Sequence, residues 1–194
     1  YHRVAGIPGD RLAVAPDEFS RQMDLLSKTG RPVKSLAEAF PREGEEAAAS
    51  RPVVVLTFDD GYRDFYDNVF PVLKTRRLPA AIFVIPEFIE GRVEPERYRG
   101  RGELSRPLTW EMLAEMAAAG ITVGSHSLTH RELTELSRAE AEREIVESRE
   151  VIGRELGTLP DWFAYPRGKT SPALAVLVRQ AGYRGAVTVR PGFN

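Results

Sequence analysis

The sequence predicts an α/β fold: a parallel sheet with helices between its strands, either open or closed into a barrel. Three observations predict it. Short apolar runs alternate with amphipathic helical stretches along the chain, as in successive βα units. The run Val53-Val54-Val55-Leu56-Thr57-Phe58 reads as a strand buried on both faces, which is the habit of parallel sheets. Three strands end in residues suited to chemistry rather than packing: Asp59-Asp60-Gly61, His126-Ser127-Leu128-Thr129-His130 and Tyr165-Pro166-Arg167-Gly168. In a parallel sheet all strand C-termini point the same way, so these loops can share one rim, where α/β folds carry their sites.

The elements follow in order. Tyr1-His2-Arg3-Val4 reads as the end of a first strand. Pro16-Asp17-Glu18 opens a helix with Phe19, Met23, Leu25 and Leu26 on its apolar face, and Gly30 closes it. Ser35 to Phe40 is a short helix, and Pro41 to Ser50 an acidic, alanine-rich connector expected at the surface. After the 53–58 strand, Phe65, Val69, Val72 and Leu73 share one side of a helical stretch from Asp64 to Arg77. Pro71 lacks an N–H, so the continuous helix is expected to begin near residue 70, after an irregular turn. Ala80 to Ile85 is a second buried strand ended by Pro86, and 90–107 is a charged surface excursion. Thr109 caps a helix through Ala119, stopped by Gly120; Ile121-Thr122-Val123 is a strand running into His126. Ser137 and Glu140 form a capping box for a helix to about Leu156, striped by Ile145, Val151, Ile152 and Leu156. Trp162 to Tyr165 is a strand, Ser171-Pro172 opens a helix closed by Gly182, and Ala186 to Val189 is a last strand. Phe65, Tyr66, Phe70, Trp110 and Trp162 are expected to pack rather than bind.

Composition narrows the function. The 194 residues are 42% hydrophobic, enough for one core, and the whole span 1–194 is expected to be a single catalytic domain. It starts at Tyr1 rather than Met and is expected to be a piece of a longer protein, truncated at both ends, with any targeting segment outside it. A net charge of −1 from 27 basic and 28 acidic residues offers no nucleic-acid surface. The absence of cysteine excludes disulfides, thiol catalysis and cysteine-bound metal. No apolar run approaches the ~20 residues of a membrane span.

Two of the three histidines stand four apart, His126 and His130, the spacing that places both on one side of a helical turn. With a carboxylate from a neighbouring loop they would make a three-ligand metal site with an open position for water. One of the two adjacent acids would bind the metal and the other would remain free as a base.

Thr57-Phe58-Asp59-Asp60-Gly61 and His126-Ser127-Leu128-Thr129-His130 resemble the first two motifs of the polysaccharide deacetylases, the NodB-homology group or carbohydrate esterase family four. Tyr1-His2-Arg3-Val4 and Phe163-Ala164-Tyr165-Pro166-Arg167-Gly168 look most like the branch containing poly-N-acetylglucosamine deacetylases. The resemblance covers the chain. It implies a distorted (β/α) barrel with fewer than eight parallel strands and a site at the strand C-terminal rim. It implies that Asp60, His126 and His130 hold a divalent metal, zinc first, with cobalt or nickel as alternatives. Asp59 would be the general base for a metal-bound water attacking an N-acetyl carbonyl, with the backbone N–H of Arg167 holding the oxyanion. Tyr62, Tyr165, Pro166 and Gly168 are the candidate substrate contacts.

Two departures from the family pattern stand out. Many members carry an Arg where this chain has Ala164, and the late Leu-His pair is absent, since no His follows His130. The general acid is therefore expected beyond Asn194, with His2 near Asp59 orienting a site carboxylate. The expected partner is an N-acetylated polysaccharide, and the expected location the cell envelope or outside the cell. An O-acetyl esterase acting on acetylated xylan and a glycan-binding pseudoenzyme are the alternative readings.

Overall fold

A computed structural model describes residues 1–42 and 52–189. Five parallel strands form the main sheet in sequential order: β3 (Thr57–Phe58), β4 (Ala81–Val84), β5 (Thr122–Ser125), β6 (Trp162–Ala164) and β7 (Gly185–Val187). Ahead of them, β1 (Arg3–Val4) and β2 (Ala13–Val14) pair as a separate parallel ribbon. The helices are α1 (Pro16–Lys28), α2 (Leu36–Ala39), α3 (Phe70–Arg76), α4 (Pro86–Ile89), α5 (Trp110–Ala118), α6 (Arg138–Leu156) and α7 (Pro172–Gln180).

The core explains the order. β4 is buried along its whole length and serves two layers. Ile82 and Val84 face one cluster with Phe19 and Met23 of α1, Leu73 of α3 and Leu113 and Met116 of α5. Ala81 and Phe83 face a second with Leu36 and Trp162. A third cluster joins Phe163 to Ile145 of α6 and to Leu174, Leu177 and Val178 of α7. Strand alternation sends successive side chains to opposite faces, so a central strand must be apolar throughout. Gly124 is needed where β5 crosses Phe83: an added Cβ would lie 2.5 Å from its Cδ1.

Several local expectations are met. Residues 65–69 form a π turn and α3 starts at Phe70, with Pro71 in its first turn. The Thr109 and Ser171 hydroxyls cap α5 and α7, and Ser137 with Glu140 makes the capping box of α6.

Others are corrected. The 53–58 run contributes only Thr57–Phe58 to the ladder, and Val53, Val54 and Val55 are half-buried. β3 is the end strand of the sheet, and its outer side is covered by short segments: Val54 bridges Val33, and Tyr1 accepts from the Asp59 N–H at 3.1 Å. The strand buried on both faces is β4. Leu25 is 63% exposed, because it lies two residues from buried Met23 and so on the opposite side of α1. The last strand spans 185–187 rather than 186–189. The connector at 41–50 falls, from residue 43 on, outside the described residues. The 90–107 excursion is not all surface, since it carries buried Tyr98.

Tyr98 pins that excursion over the N-terminus. The Arg3 guanidinium lies 4.1 Å from the ring centroid of Tyr62 and 4.4 Å from that of Tyr98. Its Nε donates to Asp64 Oδ1 at 2.9 Å, and its Nη1 to the Leu104 carbonyl at 2.8 Å. Asp64 Oδ2 accepts from the Val4 N–H at 2.6 Å. Removing one member of a buried pair strands the other's charge and costs about 3–5 kcal/mol. Arg3→Met is therefore expected to lower the urea unfolding free energy by about 3 kcal/mol or more. A loss below about 1 kcal/mol would show that Asp64 finds water when Arg3 is gone.

Candidate active site

The site begins where β3 stops. Asp60 and Gly61 both take left-handed backbone angles, φ 76° and 89°, and the chain turns sharply. A Cβ at Gly61 would meet Ile89 Cδ1 at 3.1 Å and Val84 Cγ1 at 3.2 Å, so glycine suits both the angle and the space. The two neighbouring carboxylates separate. Asp59 approaches His2, with Oδ2 3.7 Å from Nε2. Asp60 is buried, and its Oδ1 lies 3.6 Å from His126 Nε2 and 3.6 Å from His130 Nε2.

The histidines meet by a different route from the expected helical turn. Residues 126–130 are not helical; Ser127 and His130 have φ 63° and 65°. The Ser127 hydroxyl accepts from the His130 N–H at 3.0 Å and closes the loop on itself. The spacing brings the rings together, centroids 4.8 Å apart, through a strained loop instead of a helix face. His126 Nδ1 lies 2.8 Å from the Ala164 carbonyl, which can only accept, so Nδ1 carries a hydrogen and Nε2 faces Asp60.

These three side chains fit a divalent metal. One ligand atom from each lies within 4.8 Å of the others. Asp60 Oδ1 is buried with no hydrogen-bond partner, which a carboxylate oxygen does not tolerate without a cation or donor. Ligands ~2.1 Å from one tetrahedral ion stand ~3.4 Å apart, close to the two 3.6 Å separations. Burial, aided by His126, Arg167 and His2, lowers His130 to about 3, so its imidazole is neutral at neutral pH. Burial pushes the Asp60 carboxyl up, opposed by His126 and His2. A positive ion would favour the carboxylate and use both lone pairs.

A cleft of about 460 Å³ opens over this group. It is lined by Asp59, Asp60, His126 and His130 together with His2, Tyr62, Tyr165, Arg167 and Gly168. Pro166 is buried beneath the turn and is not among the lining residues, because the sharp turn at Arg167, φ 57°, directs the chain past it. Gly168 is also left-handed, and a Cβ there would lie 2.7 Å from the Val189 nitrogen. Among the described residues, no backbone acceptor engages the Arg167 N–H.

The sequence profile of the polysaccharide deacetylase family matches residues 46–186. The chain belongs to the polysaccharide deacetylase family. It is 29% identical over 192 residues to the putative polysaccharide deacetylase YxkH of Bacillus subtilis, covering 99% of this chain and 63% of that protein. It is 28% identical over 134 residues to the poly-beta-1,6-N-acetyl-D-glucosamine N-deacetylase of Escherichia coli K12, covering 66% of this chain and 20% of that protein. The chain thus spans less than two thirds of the length of these curated relatives. Its fold superimposes on the Streptococcus pyogenes deacetylase PplD, solved in complex with acetate, with a TM-score of 0.84, 26% identity, and coverage of 99% of this chain and 82% of that one. The sheet is accordingly a distorted (β/α) barrel of fewer than eight parallel strands, as the motifs implied.

In this member of the family the structure adds residues that the motifs did not show. The Ala164 carbonyl orients His126. Glu144 of α6 holds the 128–129 backbone, and Arg97, Glu96 and Leu12 supply cleft walls. Glu144 had a faint signal, a charge next to Ile145 on the apolar stripe of α6. The wall residues had none, since they come from two irregular loops joined by the Asp10–Arg97 ion pair and the Tyr98–Asp10 hydrogen bond.

Proposed function

We propose that this chain is a divalent-metal-dependent hydrolase that removes N-acetyl groups from an N-acetylglucosamine-containing polysaccharide at the cell envelope or outside the cell. The observation that carries the reading is the pairing of a buried Asp60-His126-His130 ligand set with a separate carboxylate, Asp59, on the same cleft. The names of the E. coli relative and of the acetate-bound PplD support the substrate and the leaving acid. Zinc is the first choice for two imidazoles and a carboxylate, with cobalt or nickel as substitutes.

Asp60, His126 and His130 would hold the ion, which supplies Lewis-acid polarisation when bound. The remaining work falls to this chain's own groups. Asp59 accepts a proton from the water that attacks the acetyl carbonyl. The Arg167 N–H, left without a backbone acceptor, donates to the oxyanion. Amide cleavage expels an amine that must be protonated as it leaves. His2, whose Nε2 lies 3.7 Å from Asp59 Oδ2, orients that base and is not assigned this proton. Tyr165, Gly168 and Tyr62 form the wall against which the sugar rests.

The test is acetate release from chitin oligomers, poly-N-acetylglucosamine, peptidoglycan and acetylxylan, before and after chelation. Release from an N-acetylated polymer, abolished by chelator and restored by zinc or cobalt, is the expected result. Release from acetylxylan alone would make the protein an O-acetyl esterase, and binding without release would make it a glycan-binding module. His2→Ala should slow the amide substrates and an aryl acetate alike and modestly, because both need an oriented Asp59 while the phenolate leaves without a proton. Loss of amide hydrolysis with aryl acetate hydrolysis spared would make His2 the acid and overturn this role.

A further inference from the structure

The loop that carries both histidines is strained at two non-glycine positions, Ser127 and His130, so something outside it must hold it. Besides the Glu87 N–H on the Leu128 carbonyl and the Val84 and Ala164 carbonyls at His126, a group of these contacts comes from one helix. On α6 the Glu144 side chain is buried, 5% exposed, on the helix face that packs behind the loop. Its Oε2 accepts from the Thr129 N–H at 2.9 Å and its Oε1 from the Thr129 hydroxyl at 2.5 Å. Its backbone carbonyl accepts from the Leu128 N–H at 3.1 Å. One turn further along α6, buried Ser148 meets the Ser125 hydroxyl at 2.7 Å, just before His126. A buried carboxylate is costly unless its bonds are needed, and charge-assisted bonds are about twice as strong as neutral ones.

We propose that Glu144 is a positioning residue for the metal centre: it never touches the ion, but by clamping Thr129 it holds the neighbouring His130 in its left-handed conformation, with Nε2 beside Asp60. The inference rests on the metal-site reading above. Without the clamp the 128–130 backbone relaxes out of its strained angles, and the third ligand must be recruited from an ensemble. The penalty appears in metal affinity before it appears in chemistry. Partners that orient metal ligands are typically worth 10–100-fold in affinity. An amide at position 144 can still accept from the Thr129 N–H with its oxygen and donate to the Thr129 hydroxyl with its nitrogen. It should therefore replace the carboxylate.

The test is zinc affinity by competition with a chromophoric chelator, together with the visible absorption of the cobalt-loaded protein, on the same chain. Failure of the unmodified protein to bind zinc would refute the metal-site reading itself, and the clamp with it. If it binds, Glu144→Ala is expected to weaken zinc about 10–100-fold and to alter the cobalt bands, and Glu144→Gln to stay within about threefold of wild type. Unchanged affinity in a folded Glu144→Ala protein overturns the proposal. So does a Glu144→Gln variant as weak as Glu144→Ala, which would assign the effect to charge instead of geometry. If Glu144→Ala does not fold, Thr129→Val decides: it removes one clamp bond at constant shape, so a severalfold loss upholds the proposal and no loss overturns it.

Discussion

Asp59→Asn is expected to bind a divalent ion with wild-type stoichiometry and to lose about 10²–10⁴-fold in turnover, the usual worth of a positioned general base. The metal group is complete without Asp59, since Asp60 Oδ1 already lies 3.6 Å from both imidazole nitrogens. Asp59 faces the other way, toward His2 at 3.7 Å, with its side chain 21% exposed on the cleft. Asparagine keeps the size and the acceptor oxygen but cannot take a proton. Substrate binding should survive, so kcat should fall with little change in KM. Elemental analysis and steady-state acetate release check both halves. Loss of metal in Asp59→Asn would mean that Asp59 and Asp60 have exchanged roles, and unchanged turnover would mean that Asp59 is not the base.

His126→Ala is expected to abolish acetate release and to weaken zinc by more than the ~100-fold that loss of a ligand's supporting partner can cost. His126 is the more deeply buried of the two imidazoles and is fixed at both nitrogens, Nδ1 on the Ala164 carbonyl and Nε2 toward Asp60. Its removal opens the ligand set and also leaves a carbonyl unpaired, costing about 1–3 kcal/mol in stability. Thermal unfolding of the metal-free wild type and variant separates that structural cost from the loss of zinc. A His126→Ala protein that is folded and holds zinc at the wild-type Kd would remove His126 from the metal site.

How much of this was legible in the sequence differs from one element to the next. The helix boundaries at Thr109, Ser137 and Ser171 were legible because capping is a local event between residues three apart. The irregular turn before Pro71 was legible for the same reason. The 53–58 strand was overread because burial is not local. Three adjacent valines look like a central strand, yet Val54 is bridged only to Val33 and all three stay half-buried. β2 was missed because two residues are too few for a pattern. The 126–130 segment was read with the right residues and the wrong conformation, since four-residue spacing cannot distinguish a helical turn from a loop with two left-handed residues.

By itself the sequence determined which groups are available: a pair of adjacent carboxylates at one strand end, two imidazoles at another, and a family whose motifs both match. Tertiary structure alone decided where those groups point. Of the five non-glycine residues with positive φ among the described residues, four lie in the site: Asp60, Ser127, His130 and Arg167. Each such angle is disfavoured by about 1–2 kcal/mol and persists only against outside contacts. Here the contacts come from distant parts of the chain: Val84 and Ile89 crowding Gly61, the Ala164 carbonyl on His126, and Glu144 on Thr129. Local spacing sets which residues can meet, but the sign of φ at those four positions is set by packing between residues far apart in the chain.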